Sequence, residues 1–320
     1  MKALVYTGVE SLEYRDVSDP AVDHDETVVH IDSVGICGSD MHAFLGHDER
    51  RPAPLILGHE GAGVTSNGRR VTINPLVTDP SSAASRSGRE NLCPSRQIIS
   101  MPPREGAFAD QVAIPERNLV ELPDHISFEQ AALAEPIAVS WHAVRLGLAA
   151  LHPTDQRRAH VLGGGAIGVA AALALKAMGV EEVTLSEPNA ARAEYLRKVC
   201  GINVVAEPEK NVPLVIDAVG FASTRAAACS VVSPGGVILH IGLGSSEGGL
   251  DIRRITLQEI TLIGTYTYTA QDFRDTCMAM FDGRLGALDW FETRALIDGA
   301  AAFDDLRAGK THAPKIILKP

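Results

Sequence analysis

The 320-residue sequence is short of aromatic side chains (5%), has only five cysteines, and nowhere concentrates lysine and arginine. Each shortage excludes something. Cys37, Cys93, Cys200, Cys229 and Cys277 are an odd, scattered set, which points to free thiols or metal ligands and not to a disulfide framework. Lys and Arg number 29 against 40 Asp and Glu, a formal charge of −11, so the basic footprint of a nucleic-acid binder is missing. The longest apolar stretch, 166–175, falls well short of the roughly 20 residues that a membrane-crossing helix needs. The opening residues Met1 to Tyr6 run at once into Thr7, Gly8 and Glu10, unlike a signal peptide, and a cytoplasmic location is the default expectation.

What is present is the make-up of an ordinary globular protein, 45% hydrophobic and 22% charged, long enough for two domains. The first 135 or so residues are punctuated by Pro, Gly and Asp between short β-type runs such as 27–31 and 111–114, and they read as mostly β. From His160 the pattern alternates. Strands are predicted at 160–162, 182–187, 203–206, 214–219 and 237–242, with helical runs at 166–178 and 190–199. Such alternation predicts a doubly wound parallel sheet. Beyond Thr265 the pattern is irregular, with a helix expected at 273–281 and a terminal strand at 315–318.

Gly163-Gly164-Gly165-Ala166-Ile167-Gly168 fits G-x-G-x-x-G, follows an apolar strand and opens an Ala-rich helix. Gly163 makes the tight turn, Gly165 lets a pyrophosphate approach the backbone, and Gly168 lets helix and strand pack closely. The helix N-terminus offers its amides to the phosphates. Glu187 lies 24 residues after Gly163, at the end of the next predicted strand, where a carboxylate binds both hydroxyls of the adenosine ribose. That charge repels a 2′-phosphate, so NAD is expected over NADP. Arg192, nearby in sequence, softens the repulsion.

Three local clusters in the first half carry metal-binding residue types: Cys37-Gly38-Ser39-Asp40-Met41-His42, Gly58-His59-Glu60-Gly61, and Glu135-Pro136. Cys37 and His59, with Glu60 or Glu135 as an oxygen ligand, would make an open zinc site. Taken one at a time, each has an ordinary structural explanation, such as a buried thiol or a solvated carboxylate.

Taken together and in order, with Gly106-Ala107-Phe108-Ala109 before the third cluster and the Gly-rich loop after it, the motifs resemble the zinc-dependent alcohol dehydrogenases of the medium-chain dehydrogenase/reductase family. The Glu135-Pro136 form of the third site is similar to the polyol and threonine dehydrogenase branch. The resemblance implies an α/β architecture, in which a Rossmann domain is inserted into a β-rich, GroES-like catalytic domain: residues 1–138 catalytic, 139–266 nucleotide-binding, 267–320 returning to the catalytic domain. It implies one catalytic zinc on Cys37, His59 and Glu60, with Glu135 as a ligand or as partner of a zinc-bound water. Asp40 would orient His59, and Ser39 would pass the alcohol proton, through the cofactor ribose, to His42. Gly163, Gly165, Ala166, Ile167, Gly168, Glu187, Arg192 and Gly242 would hold NAD. The activity implied is hydride transfer between a secondary alcohol, a polyol or sugar alcohol, and NAD, in a homo-oligomer, dimer or tetramer. Two rival readings are a metal-free quinone or enoyl reductase and a non-catalytic NAD-binding protein. Against them stand the complete ligand set and the intact Ser39 and His42.

The sequence also departs from the family. A second, structural zinc on four spaced cysteines would fall on Asp79, Ser82, Ser85 and Cys93, so only one thiolate remains and no zinc is expected there. The segment from Glu60 to Pro75, with Gly68-Arg69-Arg70-Val71, reads as a trimmed hairpin, and the stretch from Ala206 to Leu214 is short as well.

Overall fold

The computed structural model describes every residue of the chain except Gln156. The chain divides into two compact units. One comprises Met1–Glu135, Thr269–Phe281 and Phe291–Pro320; the other comprises Pro136–Tyr268 and Asp282–Trp290. The short run Asp282–Trp290, which the sequence reading assigned to the returning segment, groups with the nucleotide unit.

In the second unit six parallel strands lie in the order Asn203–Val205, Glu182–Ser186, Arg158–Leu162, Val212–Asp217, Val232–His240, Thr261–Gly264. This is the doubly wound order, with its reversal between Arg158–Leu162 and Val212–Asp217. The central strands are continuous apolar runs, as a sheet covered on both faces requires: Val161, Leu214, Val215, Ile216, Val237, Ile238 and Leu239 are all buried. The helix Ala166–Ala177 is buried along most of its length, and its small residues Ala170, Ala171, Ala172 and Ala174 are fully covered.

In the first unit seven strands form one sheet around Glu26–Gly35, which pairs antiparallel with Glu60–Thr65, Gln111–Pro115 and the terminal strand Lys315–Lys319. The last pairing sets Ile317 opposite Gly35, so the C-terminal strand runs beside the segment that leads into Cys37. The expected hairpin is Glu60–Thr65 with Arg70–Ile73. The core of this unit gathers Leu4, Val34, Leu57, Ile73 and Ile114, with the Phe303 ring tilted against Phe44 and edge-on to Phe108.

Periodicity missed the helices Ala222–Val231 and Gly299–Arg307, the strand Thr261–Gly264 and the longest helix of the chain. The helix Ala134–Ala150 has 17 residues and carries the chain from one unit to the other. Pro136 sits in its first turn, where a missing N–H costs nothing. The alternation of strands and helices gave no hint of it, because the helix is apolar along most of its length, with Glu135, His142 and Arg145 as its ionisable side chains.

Candidate metal centre and nucleotide loop

Cys37 caps the helix Gly38–Phe44. Asp40, in the first turn and fully buried, accepts from the Cys37 amide (2.9 Å) through Oδ2 and from the Gly58 amide (3.1 Å) through Oδ1. It thereby ties together the two loops that carry Cys37 and His59. Oδ1 also lies 3.4 Å from His59 Nδ1, and the Ser100 hydroxyl lies 3.3 Å from the same nitrogen. With Nδ1 held by these partners, Nε2 is the nitrogen left to coordinate. Burial pulls the His59 pKa down, but the neighbouring Asp40 and Cys37 pull it up by more, and the net direction is well upward. Burial pushes Asp40 up, while His59 and Arg51 outweigh it and hold the carboxyl below the usual range.

Ligand atoms of Cys37, His59 and Glu60 lie within 4.8 Å of one another. Glu60 is fully buried. Its Oε1 accepts from Lys315 Nζ at 2.7 Å, while its Oε2 has no hydrogen-bond partner among the described residues. A buried carboxylate oxygen without a donor is costly unless a cation faces it. The donor set of thiolate, imidazole and carboxylate suits zinc. Gly35 is required beside it, since a Cβ there would collide with Glu60 Oε2.

Lys315 is the residue that motif reading did not find. It is buried, donates to Ile36 O (2.9 Å) as well as to Glu60, and its pKa is raised by Glu60, Cys37 and Glu135 against the lowering effect of burial. The signal available was a lysine at the head of the apolar terminal strand, an unusual place for an unpaired charge. Glu135, in the first turn of Ala134–Ala150 and buried, acts on Lys315 but stands outside the three-residue group. Ser39 and His42 lie one turn apart on the short helix, both half-buried, and no hydrogen bond joins them among the described residues. The Gly106–Ala109 motif has a packing role. Ala107 and Phe108 donate to Gly58 and Leu57 carbonyls, and the Phe108 ring fills the space that a side chain at Gly58 (φ +88°) would need.

In the nucleotide unit, Gly163 (φ +98°) makes the turn at the end of Arg158–Leu162, and a Cβ there would strike Val219. A Cβ on Gly168 would strike the Gly163 carbonyl, whereas one on Gly165 would project into open space. That open cradle, under a helix starting at Ala166 and Ile167 with no side-chain cap, fits a pyrophosphate. Glu187 is fixed by two amides: Gly164 donates to Oε2 (2.9 Å) and Asn189 to Oε1 (2.8 Å). Arg192 stands in the first turn of the following helix, its amide bound to Asn189. Gly242 presses on Val219 and Gly220 too closely for any side chain.

The lobe 79–96 holds a different arrangement. Ser82 caps the short helix Ala83–Arg86, Ser85 Oγ donates to the Asp79 carbonyl (2.6 Å), and the Ser82 and Ser85 hydroxyls lie 2.9 Å apart. Cys93 is buried, 3.3 Å from Ser95 Oγ, and the Ser82 and Ser95 hydroxyls lower its thiol to about 7. Glu90 accepts from the Ala270 amide at 2.5 Å, joining the lobe to the helix Ala270–Phe281.

Comparison with known proteins agrees with this geometry. Residues 23–124 match the alcohol dehydrogenase GroES-like domain and residues 166–282 match the zinc-binding dehydrogenase domain. A sorbitol dehydrogenase of Bacillus subtilis is 30% identical over 84% of this chain and 82% of its own length. An L-galactonate-5-dehydrogenase of Escherichia coli is 28% identical over 90% of this chain and 89% of its own. The solved acetophenone reductase of Geotrichum candidum, in complex with NAD, superposes with a TM-score of 0.88 at 21% identity, covering 100% of this chain and 97% of that one. The chain belongs to the zinc-binding dehydrogenases of the alcohol dehydrogenase family. It is an oxidoreductase that works with zinc and a nicotinamide dinucleotide.

Proposed function

We propose that the protein interconverts a secondary alcohol of the polyol or sugar-alcohol class with its ketone, using NAD in preference to NADP. The observation that carries the reading is the Cys37, His59, Glu60 group, with its thiol half-buried, its imidazole and carboxylate buried, and one Glu60 oxygen unpartnered among the described residues. The names of the relatives, a sorbitol and an L-galactonate dehydrogenase, support the substrate class. Neither a metal-free reductase nor a binding-only protein has use for that group.

When bound, zinc supplies Lewis acidity toward the substrate oxygen, and the nicotinamide accepts the hydride. The remaining work falls to the chain's own side chains. Cys37, His59 and Glu60 hold the cation, with Glu135 close enough to act electrostatically through Lys315. Asp40 and Ser100 fix the ring of His59. Ser39 Oγ takes the hydroxyl proton, and His42, one turn along the helix, exchanges it with solvent. Glu187, held by two backbone amides, keeps lone pairs for both ribose hydroxyls and repels a 2′-phosphate. Gly163, Gly165, Ala166, Ile167 and Gly168 carry the phosphates, Gly242 closes the wall opposite, and Arg192 moderates the charge of Glu187.

The assembly is a homo-oligomer. The edge strand Thr261–Gly264 leaves one side unpaired, and Leu262, Ile252 and Leu257 are exposed apolar side chains in and before it. The location is cytoplasmic: all five cysteines are free, as a reducing compartment keeps them, and no helix among the described residues is long and apolar enough to cross a membrane. A panel of sugar alcohols and simple alcohols, followed as NADH absorbance with and without a chelator, tests the reading. Turnover of polyols that the chelator abolishes is expected; ethanol outperforming every polyol would overturn the substrate class.

A further inference from the structure

Arg225, in the first turn of the helix Ala222–Val231, is almost wholly buried, yet no carboxylate pairs with it among the described residues. Its donors reach two segments: four of the five acceptors lie on the loop 245–248, and the fifth is the Gly220 carbonyl. Nε donates to Gly248 O (2.6 Å), one terminal nitrogen to Gly220 O (2.8 Å) and Ser245 O (2.9 Å), and the other to Ser245 Oγ (3.0 Å) and Glu247 O. Burying a guanidinium without a counter-ion is costly. The fork geometry therefore points to a task that a neutral side chain cannot perform: gathering several carbonyls at once.

The loop so gathered follows Val232–His240, and the segment it is tied to follows Val212–Asp217. Both lie at the carboxyl ends of the strands on the far side of the reversal point from the Gly163 turn. In a doubly wound sheet each half receives one nucleotide of the dinucleotide, so this side takes the nicotinamide half. Glycines leave the two segments no slack, since a Cβ at Gly220 would strike Gly242 and one at Gly249 would strike Ala222. Along this loop opens a cavity of about 530 Å³, whose wall includes Arg225, His240, Gly242 and Ser245. His240 Nδ1 lies 3.3 Å from the buried Asp217, whose other oxygen accepts from the Val219 and Gly220 amides.

We propose that Arg225 is a positioning residue for the cofactor: it holds the glycine-rich loop 244–249 in its binding form and so sets affinity for the nicotinamide half alone. The inference rests on the dinucleotide reading above. A loop rich in glycine and serine would otherwise lose considerable conformational freedom when the ligand arrives, and a clamp removes that cost in advance.

The test compares two ligands, NADH and ADP-ribose, the latter lacking the nicotinamide. Each is titrated calorimetrically into the unsubstituted protein, Arg225→Met and Arg225→Lys. The dissociation constant for NADH should rise about tenfold in both variants, as loss of several guanidinium hydrogen bonds to a loop allows, while that for ADP-ribose changes by less than about twofold. The KM for NAD should rise in step. Equal weakening of both ligands would overturn the proposal, because Arg225 would then merely support the unit; unchanged NADH binding would overturn it too. Should these variants not fold, Ser245→Ala removes one acceptor of the clamp and must show the same selective, smaller loss. Failure of the unsubstituted chain to bind NADH at all would instead strike the dinucleotide reading itself.

Discussion

Two loops of the first unit each centre on a cysteine, and they have opposite ways of using polar atoms. Around Cys37 one polar atom is left over: Asp40 faces His59, Lys315 takes one oxygen of Glu60, and the second oxygen has no partner among the described residues. Around Cys93, the polar atoms satisfy one another. Ser82 meets Ser85, Ser85 meets the Asp79 carbonyl, and Ser95 meets the thiol. A buried donor set left incomplete marks a place for a cation, whereas a closed ring of hydroxyls marks a place where hydrogen bonds have taken over the same structural duty. Three small hydroxyl or carboxylate residues in place of thiolates are enough to move a loop from one category to the other.

The comparison breaks most visibly in metal content. Cys37→Ser and His59→Ala should each abolish both bound zinc and turnover, and elemental analysis of the unsubstituted protein should find one zinc per chain. Two equally occupied sites, one of them at Cys93 in an anomalous difference map, would erase the distinction. With hydrogen bonds holding the lobe, a chelator should remove activity with little change in Tm.

A smaller effect is expected at Asp40→Asn, which keeps the shape but loses the charge beside His59. Zinc affinity should fall by about 10- to 100-fold, as for other outer partners of a metal-bound histidine. Unchanged affinity in a metal titration would mean that Ser100 alone orients the ring. His42→Ala should slow turnover and keep the metal; loss of zinc there would contradict its outer position.

Glu187→Ser probes the second unit in the same terms, since its carboxylate is also held by partners, the Gly164 and Asn189 amides. The ratio of kcat/KM for NAD over NADP should narrow by about tenfold, the value of roughly one charged hydrogen bond. An unaltered ratio would show that Glu187 only braces Gly164 and Asn189.

The mildest change belongs to Cys93. Hydroxyl donors lower its thiol from the ordinary 9 to about 7, so the folded state releases this proton more readily than the unfolded chain. The stabilisation is complete above pH 9, shrinks as pH falls, and is gone below about pH 7. Thermal melts at about pH 6.5 and about pH 8.5 should therefore show Cys93→Ala losing more stability at the higher pH. A gap independent of pH would mean that the thiol stays protonated.

Much of this was legible in the chain itself. Gly163, Gly165 and Gly168 announce their turn because the constraint is local: positive φ and close approach are properties of a few adjacent residues. Asp40 three residues after Cys37 is likewise a one-turn relation. The apolar strands of the nucleotide unit were readable because burial on both faces leaves no polar alternation. Their edges moved by only a few residues, except that Val232–His240 begins well before the run expected from 237, since Ser233, Gly235 and Gly236 look like a turn in sequence.

Other features had to wait for the folded chain. That Glu60 joins Cys37 and His59, and Glu135 does not, depends on where Glu60–Thr65 pairs against Glu26–Gly35. Lys315 reaches Glu60 across 255 residues, and Arg225 finds four of its five acceptors on a loop some 20 residues on. Local spacing specifies residue types and turns, because backbone geometry acts between neighbours. Which charges meet, and which buried oxygen is left without a partner, is decided by strand register and packing, where contacts are made between parts of the chain that carry no record of one another in sequence.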